Sequence, residues 1–408
     1  MGNAINSGDT AWVLVSCALV LMMTPGLAFF YGGMVRRKNV LSTLTLSFVF
    51  MALIGVQWVL YGYSLAFGDS IGGFIGGLNY LGFSGVGAAP NPAYAKTIPQ
   101  SLFAAFQMMF AVITPALITG AFVERVRFKS FLIFSLIWAT LVYDPLCHWV
   151  WGKGGWLGAL GVLDFAGGTV VHIAAGFSAL AFALAIGPRK GFGKNPIEPH
   201  NIPLTVLGAG LLWVGWFGFN AGSALAANGV AVNALLTTNT SAATAGLVWM
   251  LLSWLDGRPS PLGLVTGMVV GLAAVTPASG FVTPMAAMVI GAVAAPLSYY
   301  GIRFRDKRQL DESLDVWACH GVASTWGMVA CGLFATTEVN AAGANGLFYG
   351  HPGQLGIQLL AIVVTMAFTF GVTFLVAKLL DWSIGLRVTT MEEEVGLDIS
   401  GHGERAYS

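Results

Sequence analysis

The chain has 408 residues, of which 56% are apolar and 9% charged, with a formal net charge of +1. Soluble proteins carry roughly 25% charged residues, so a soluble globular domain is excluded, and near-neutrality speaks against a nucleic-acid partner or a polybasic membrane-surface role. The 54 glycines suit close helix contact in lipid and would weaken soluble helices.

In chain order, apolar stretches of about the 20 residues a membrane helix requires predict eleven spans: 10–33, 40–67, 99–122, 128–150, 163–187, 203–225, 230–255, 260–276, 283–302, 315–336 and 354–382. No basic segment precedes the first, so it reads as a span and not a cleaved signal peptide. Met1-Gly2 is followed by Asn6 where myristoylation requires Ser or Thr. The second connection, 68–98, is long and rich in Gly, Asn and Pro. Beyond 385 the chain turns polar, which divides it into a transmembrane domain, 1–385, and a tail, 386–408, too short for a domain of its own.

Charge tests this count. Every Lys and Arg except Lys96 and Lys153 falls in an odd-numbered connection or towards the C-terminus, among them Arg36, Arg125, Arg189, Arg258 and Arg303. The positive-inside rule then sets the N-terminus outside and the C-terminus in the cytoplasm. Cys17, Cys147, Cys319 and Cys331 lie in or near apolar segments, without metal-ligand or disulfide-framework spacing, and read as packing residues.

Two stretches break the apolar pattern. Asp164 precedes His172 by eight residues at span 5, and Glu312 precedes His320 by eight at span 10. Ionisable groups within a membrane are expensive and mark functional sites by default. Eight helical residues cover ~12 Å of a core ~30 Å thick, and the two spans run in opposite directions. The histidines therefore reach similar depths, as in an inverted repeat of spans 1–5 and 6–10 with its site at the midplane. Span 11 lies outside the repeat. The plainer alternative is that each histidine bonds a backbone carbonyl and locks helices together. No third ligand stands at metal spacing.

Above the histidines, helical spacing sets Trp151, Phe106 and Ser223 at an outer level and Phe110 and Phe219 one turn below. Aromatic faces attract a cation, and a hydroxyl can accept its hydrogen bond. Singly, each of these residues is ordinary membrane packing. Together they suggest a pathway for a small solute.

Several motifs carry a resemblance. Phe-Tyr-Gly-Gly at 30–33, Tyr-Gly-Tyr-Ser-Leu-Ala-Phe-Gly at 61–68, Asp-Phe-Ala-Gly-Gly-Thr-Val-Val-His at 164–172, Gly-Trp-Phe-Gly-Phe-Asn-Ala-Gly-Ser at 215–223 and Gly-Leu-Asp-Ile-Ser-Gly-His-Gly-Glu at 396–404 are similar to those of the Amt/Mep/Rh ammonium transporters. The resemblance runs nearly end to end and is closest to the bacterial Amt branch. It implies an all-α integral membrane protein of eleven helices in the inner (plasma) membrane, a homotrimer with one pore per subunit, and no cofactor. By motif position Trp151, Phe106 and Ser223 would recruit ammonium, with Asp164 supporting them through structure and charge. Phe110 and Phe219 would form a gate, and His172 and His320 the twin-histidine pair, with Glu312 the repeat-related acid. The tail resembles a segment that links subunits and serves regulation by PII-type signalling proteins. Asp144, before Pro145 in span 4, departs from the motif pattern; it either caps or pairs inside the bundle, or alters cation affinity.

Ammonium and potassium match in size and charge, but only ammonium can donate N–H bonds and shed a proton. A narrow apolar path rejects a bare ion, for which the membrane centre costs at least about 2.5–3.5 kcal/mol, yet passes ammonia. Histidine, with a reference pKa of roughly 6.5, can take and return the proton. The sequence reading is therefore transport. An ammonium receptor on the same scaffold is the alternative, and no nucleophile–base pair supports an intramembrane enzyme.

Overall fold

In a computed structural model, which describes residues 5–407, the chain is an all-α, multi-spanning membrane protein. Met1-Gly2 lies outside the described residues. Among the described residues nine helices are long and apolar enough to cross a membrane: α1 (Ser7–Met34), α2 (Arg37–Phe67), α3 (Gln100–Ala121), α4 (Phe128–Ala159), α5 (Gly168–Ile186), α6 (Ile202–Ala221), α7 (Gly229–Leu255), α9 (Pro284–Lys307) and α11 (Pro352–Ile384). Between them lie the shorter α8 (Pro261–Val275) and α10, in which a π-helical turn, Trp317–Val322, continues as the α-helix Ala323–Phe334. The predicted apolar stretches and these helices agree to within a few residues at most ends, because a spanning segment must satisfy its own backbone and so follows hydropathy.

Glycine sets how closely the helices approach. α1 lies along α6, and a Cβ on Gly208 would stand 2.2 Å from the Phe30 backbone nitrogen. Exposed Leu, Val and Trp side chains cover the outer faces, Leu14, Leu247, Val363 and Trp382 among them.

Two features differ from the sequence reading. Residues 68–98 hold a two-stranded ribbon, Ser70–Ile71 against Ile75–Gly76. The helix bearing His172 begins at Gly168, so Asp164 lies in the loop before it. The tail folds as two short helices, α12 (Thr390–Val395) and α13 (Leu397–His402), the first opened by a Thr389–Glu392 capping box. It is docked: Leu397 N donates to Asn39 Oδ1 (2.8 Å), and the Asn39 amide donates to Glu124 (2.9 Å).

Five π-helical turns interrupt the described helices, at Trp58–Gly62, Ala139–Tyr143, Gly168–Ile173, Phe217–Ala221 and Trp317–Val322. π turns are rare and concentrate at functional sites. Three of these carry His172, Phe219 and His320.

Candidate functional site

His172 and His320 sit in the opening turns of α5 and α10. A left-handed glycine, Gly167 (φ 117°), turns the chain into α5. Asp164 fixes the turn: its carboxylate accepts from Gly167 N (2.8 Å), Gly168 N (2.6 Å) and Thr169 N (2.7 Å), and from the Thr169 hydroxyl. The acid is thus consumed in capping orphan backbone donors and does not present a free oxygen to a solute. Its backbone carbonyl accepts the Trp151 indole N–H at 2.9 Å. The same loop therefore orients both the histidine helix and the outer aromatic.

Glu312 does the mirrored task at α10. Fully buried, it accepts from Val316 N (3.1 Å) and Trp317 N (3.2 Å), with the Arg305 guanidinium 3.7 Å away. The matching acid–histidine spacings are thus two acid-capped helix starts.

The helices then meet through glycine. A Cβ on Gly176 would lie 2.4 Å from both N and Cα of Gly321, so only hydrogen fits there. This approach sets His172 Nδ1 3.3 Å from His320 Nδ1, with the rings 5.3 Å apart and 18° from parallel. One Nδ1 must carry hydrogen and the other accept it, which makes the pair chemically unequal. Both are buried, at 1% and 3% exposure. His172 Nε2 has no protein partner among the described residues.

The two histidines line a cavity together with Leu27, Ile113, Leu212, Trp216 and Phe219. The cavity volume, ≈ 10 Å³, is at the lower limit for one water molecule. Phe219 lies over His172, with centroids 5.8 Å apart and planes at 30°; Trp216 stacks on it at 5.4 Å and 23°. Trp216 escaped the sequence reading, although its place in Gly-Trp-Phe-Gly-Phe, three residues before Phe219, was the available signal.

Further out, Phe110 and Phe219 pair at 4.3 Å. Phe106 packs on Phe110 at 5.0 Å, and Trp151 meets Phe110 edge-on at 6.0 Å. Ser223 donates its hydroxyl to the Phe219 carbonyl (2.8 Å), which leaves its oxygen lone pairs to accept. The structure thus joins Trp151, Phe106, Phe110, Phe219, His172 and His320 into one continuous line of contacts, with Ser223 tied to Phe219 beside it.

With this geometry in hand, comparison with known proteins is decisive. Residues 11–407 match the model of the Ammonium Transporter Family. The chain belongs to that family. It is similar to the ammonium transporter Amt1 of Archaeoglobus fulgidus, at 52% identity over 99% of this chain and 100% of that protein. It is also similar to an ammonium transporter of Bacillus subtilis, at 51% over 98% of each chain. Among solved structures, Candida albicans Mep2 superposes with a TM-score of 0.90 at 37% identity, over 99% of this chain and 91% of that one. A protein described as a sensor Amt protein gives 0.88 at 30% identity, over 97% and 98%. The archaeal and Bacillus relatives thus match this chain over nearly their whole length, and the two solved structures share its fold.

Proposed function

We propose that the protein carries ammonium across a membrane by recruiting the cation, removing a proton and passing ammonia. The observation that carries this reading is a buried histidine pair, with His172 Nε2 lacking a protein partner, that lines an apolar cavity of one-molecule size beneath the paired phenylalanines. A hydrated potassium ion has no place there, whereas ammonia is small and uncharged. Recruitment falls to the Trp151 and Phe106 rings and the Ser223 oxygen, with Asp164 positioning Trp151 through its loop. Phe110 and Phe219 act as the gate, and His172 and His320 take the proton and relay it inward across their 3.3 Å contact, so that it rejoins ammonia at the inner face and net charge crosses.

Around this pathway we infer eleven spans, in which α8 and α10 join the nine long helices, with the N-terminus outside and the C-terminus cytoplasmic. The acid-capped starts of α5 and α10 support an inverted repeat of α1–α5 and α6–α10. The lysine and arginine distribution supports the orientation and a transmembrane domain 1–385 with a cytoplasmic tail 386–408. Identities of 52% with the archaeal and 51% with the Bacillus protein, against 37% with the fungal one, support a prokaryotic Amt type, of which the bacterial branch is part, and an inner (plasma) membrane location. Family membership supports a homotrimer and a PII-type partner at the cytoplasmic face.

A second reading, an ammonium receptor, is favoured by the likeness to the sensor Amt protein. Current recordings on purified protein reconstituted on a solid-supported membrane separate the two. Saturable ammonium-evoked current supports transport; ammonium binding without current supports the receptor.

A further inference from the structure

The histidines are not the only buried titratable groups in this membrane bundle. Asp144 in α4 is wholly buried and packed against α2. Gln57 Nε2 donates to Asp144 Oδ2 at 2.8 Å. Two atoms of this pair lack any partner among the described residues: Asp144 Oδ1 and Gln57 Oε1. Both are acceptors, so neither can satisfy the other while the carboxyl is ionised. Exchanging the amide oxygen and nitrogen does not help, since it only moves the surplus acceptor to the bonded position. A proton on the carboxyl removes the conflict in either orientation.

The surroundings supply no alternative charge. Asp144 has no ion-pair partner among the described residues. The titratable groups near enough to feel its charge are Tyr143 and Cys147 of its own helix, a phenol and a thiol that offer no positive charge; from α2 it meets the Gln57 amide. An isolated carboxylate in such a place is far costlier than a neutral acid.

The site is built. The π turn Trp58–Gly62 follows Gln57 directly, and the π turn Ala139–Tyr143 ends directly before Asp144. Tyr61 and Thr140, one from each turn, join hydroxyls at 3.2 Å. A Cβ on Gly62 would stand 2.5, 2.8 and 2.9 Å from Oε1, Nε2 and Cδ of Gln57. The amide lies flat on this glycine, which fixes its edge towards Asp144 and leaves no room for water on that side.

We propose that Asp144 is a proton-binding site distinct from the histidine pair: a neutral carboxylic acid that donates to Gln57 Oε1 and accepts from Gln57 Nε2 in a closed two-bond ring. The bound proton joins α2 to α4 seven residues, ~10 Å along the helix, from Trp151. The competing occupant is a small cation held between two bare oxygens.

Infrared spectroscopy of the liposome-reconstituted protein, labelled with carbon-13 at aspartate carboxyls, tests this. The wild type should show at neutral pH a protonated-carboxyl band that Asp144→Asn removes, unchanged by ammonium chloride. Asparagine reproduces the neutral acid, so Asp144→Asn should keep the wild-type melting temperature and ammonium uptake. Gln57→Ala breaks the ring from the other side and should shift the band, which keeps the test open even where Asp144→Asn fails to fold. A missing band at neutral pH, a band abolished by ammonium chloride, or a band indifferent to Gln57→Ala would each overturn the proposal.

Discussion

Phe219 lies across His172 at a ring separation of 5.8 Å, so the inner face of the proposed gate is also the roof over the proposed proton acceptor. A solute that clears the Phe110–Phe219 pair meets a histidine at once, with no intervening polar layer. Desolvation and proton removal are therefore neighbouring events in this pathway.

The Gly176–Gly321 crossing is what brings the histidines together, and it tolerates no side chain. Gly176→Ala drives a Cβ into backbone atoms at 2.4 Å. Overpacking of this kind costs typically about 1–3 kcal/mol, and parting α5 from α10 lengthens the His172–His320 contact. A lowered melting temperature together with loss of ammonium flux in proteoliposomes is expected.

Asp164 satisfies three backbone amides and one hydroxyl. Asp164→Ala leaves these buried donors without an acceptor, at about 1–3 kcal/mol for each one stranded. Asp164→Asn keeps one acceptor oxygen and should fall between. Thermal unfolding in detergent should rank them wild type, Asn, Ala. Ammonium affinity should follow the same order, because the Asp164 carbonyl also holds Trp151.

If Trp151 holds the cation by its face, Trp151→Leu removes an attraction of about 0.5–2 kcal/mol. The KM for ammonium should then rise about 2- to 30-fold, while maximal flux changes less. Concentration series of ammonium-evoked current give both quantities.

At the end of the molecule that carries the tail, Glu124 accepts from Arg36, Arg189 and Asn39 while wholly buried. Burial works to raise its carboxyl, but Arg189 and Arg36 hold it below the ordinary value of 4.5. A depressed carboxyl contributes stability above 4.5 that is lost as pH falls through its folded value. Glu124→Gln should lower stability at neutral pH by about 3–5 kcal/mol, the usual cost of breaking a buried pair. It should also flatten the acid limb of melting temperature against pH. Because Asn39 bridges Glu124 to Leu397, faster proteolysis of the tail should accompany the loss.

Much of this was legible in the sequence because a membrane imposes simple rules. Hydropathy found the helices and the acid–histidine spacing singled out His172 and His320, which the structure brings to 3.3 Å. What stayed hidden was local. The π turns leave no signature in apolar periodicity, and the loop before α5 is as apolar as a helix, so hydropathy alone starts the span at 163 and includes Asp164 in it. Sequence marks the tail as a polar segment but not how it docks, because the docking rests on bonds to residues far away in sequence, among them Lys38, Asn39, Ser42 and Lys190. For Asp144 the sequence leaves two readings, a cap or pair inside the bundle and an altered cation affinity. The pair exists, but its partner, Gln57, comes from a helix 87 positions distant that no spacing rule connects to it.

The central claim is that His172 and His320 let ammonium through by handling its proton while potassium is refused. Recordings on a solid-supported membrane, with matched ammonium and potassium pulses applied to wild type and to the His172→Ala, His320→Ala double variant, test it most directly. The wild type should respond to ammonium and not to potassium. The double variant should lose the ammonium response or begin to admit potassium. An ammonium current of unchanged size and selectivity in the double variant would contradict the account.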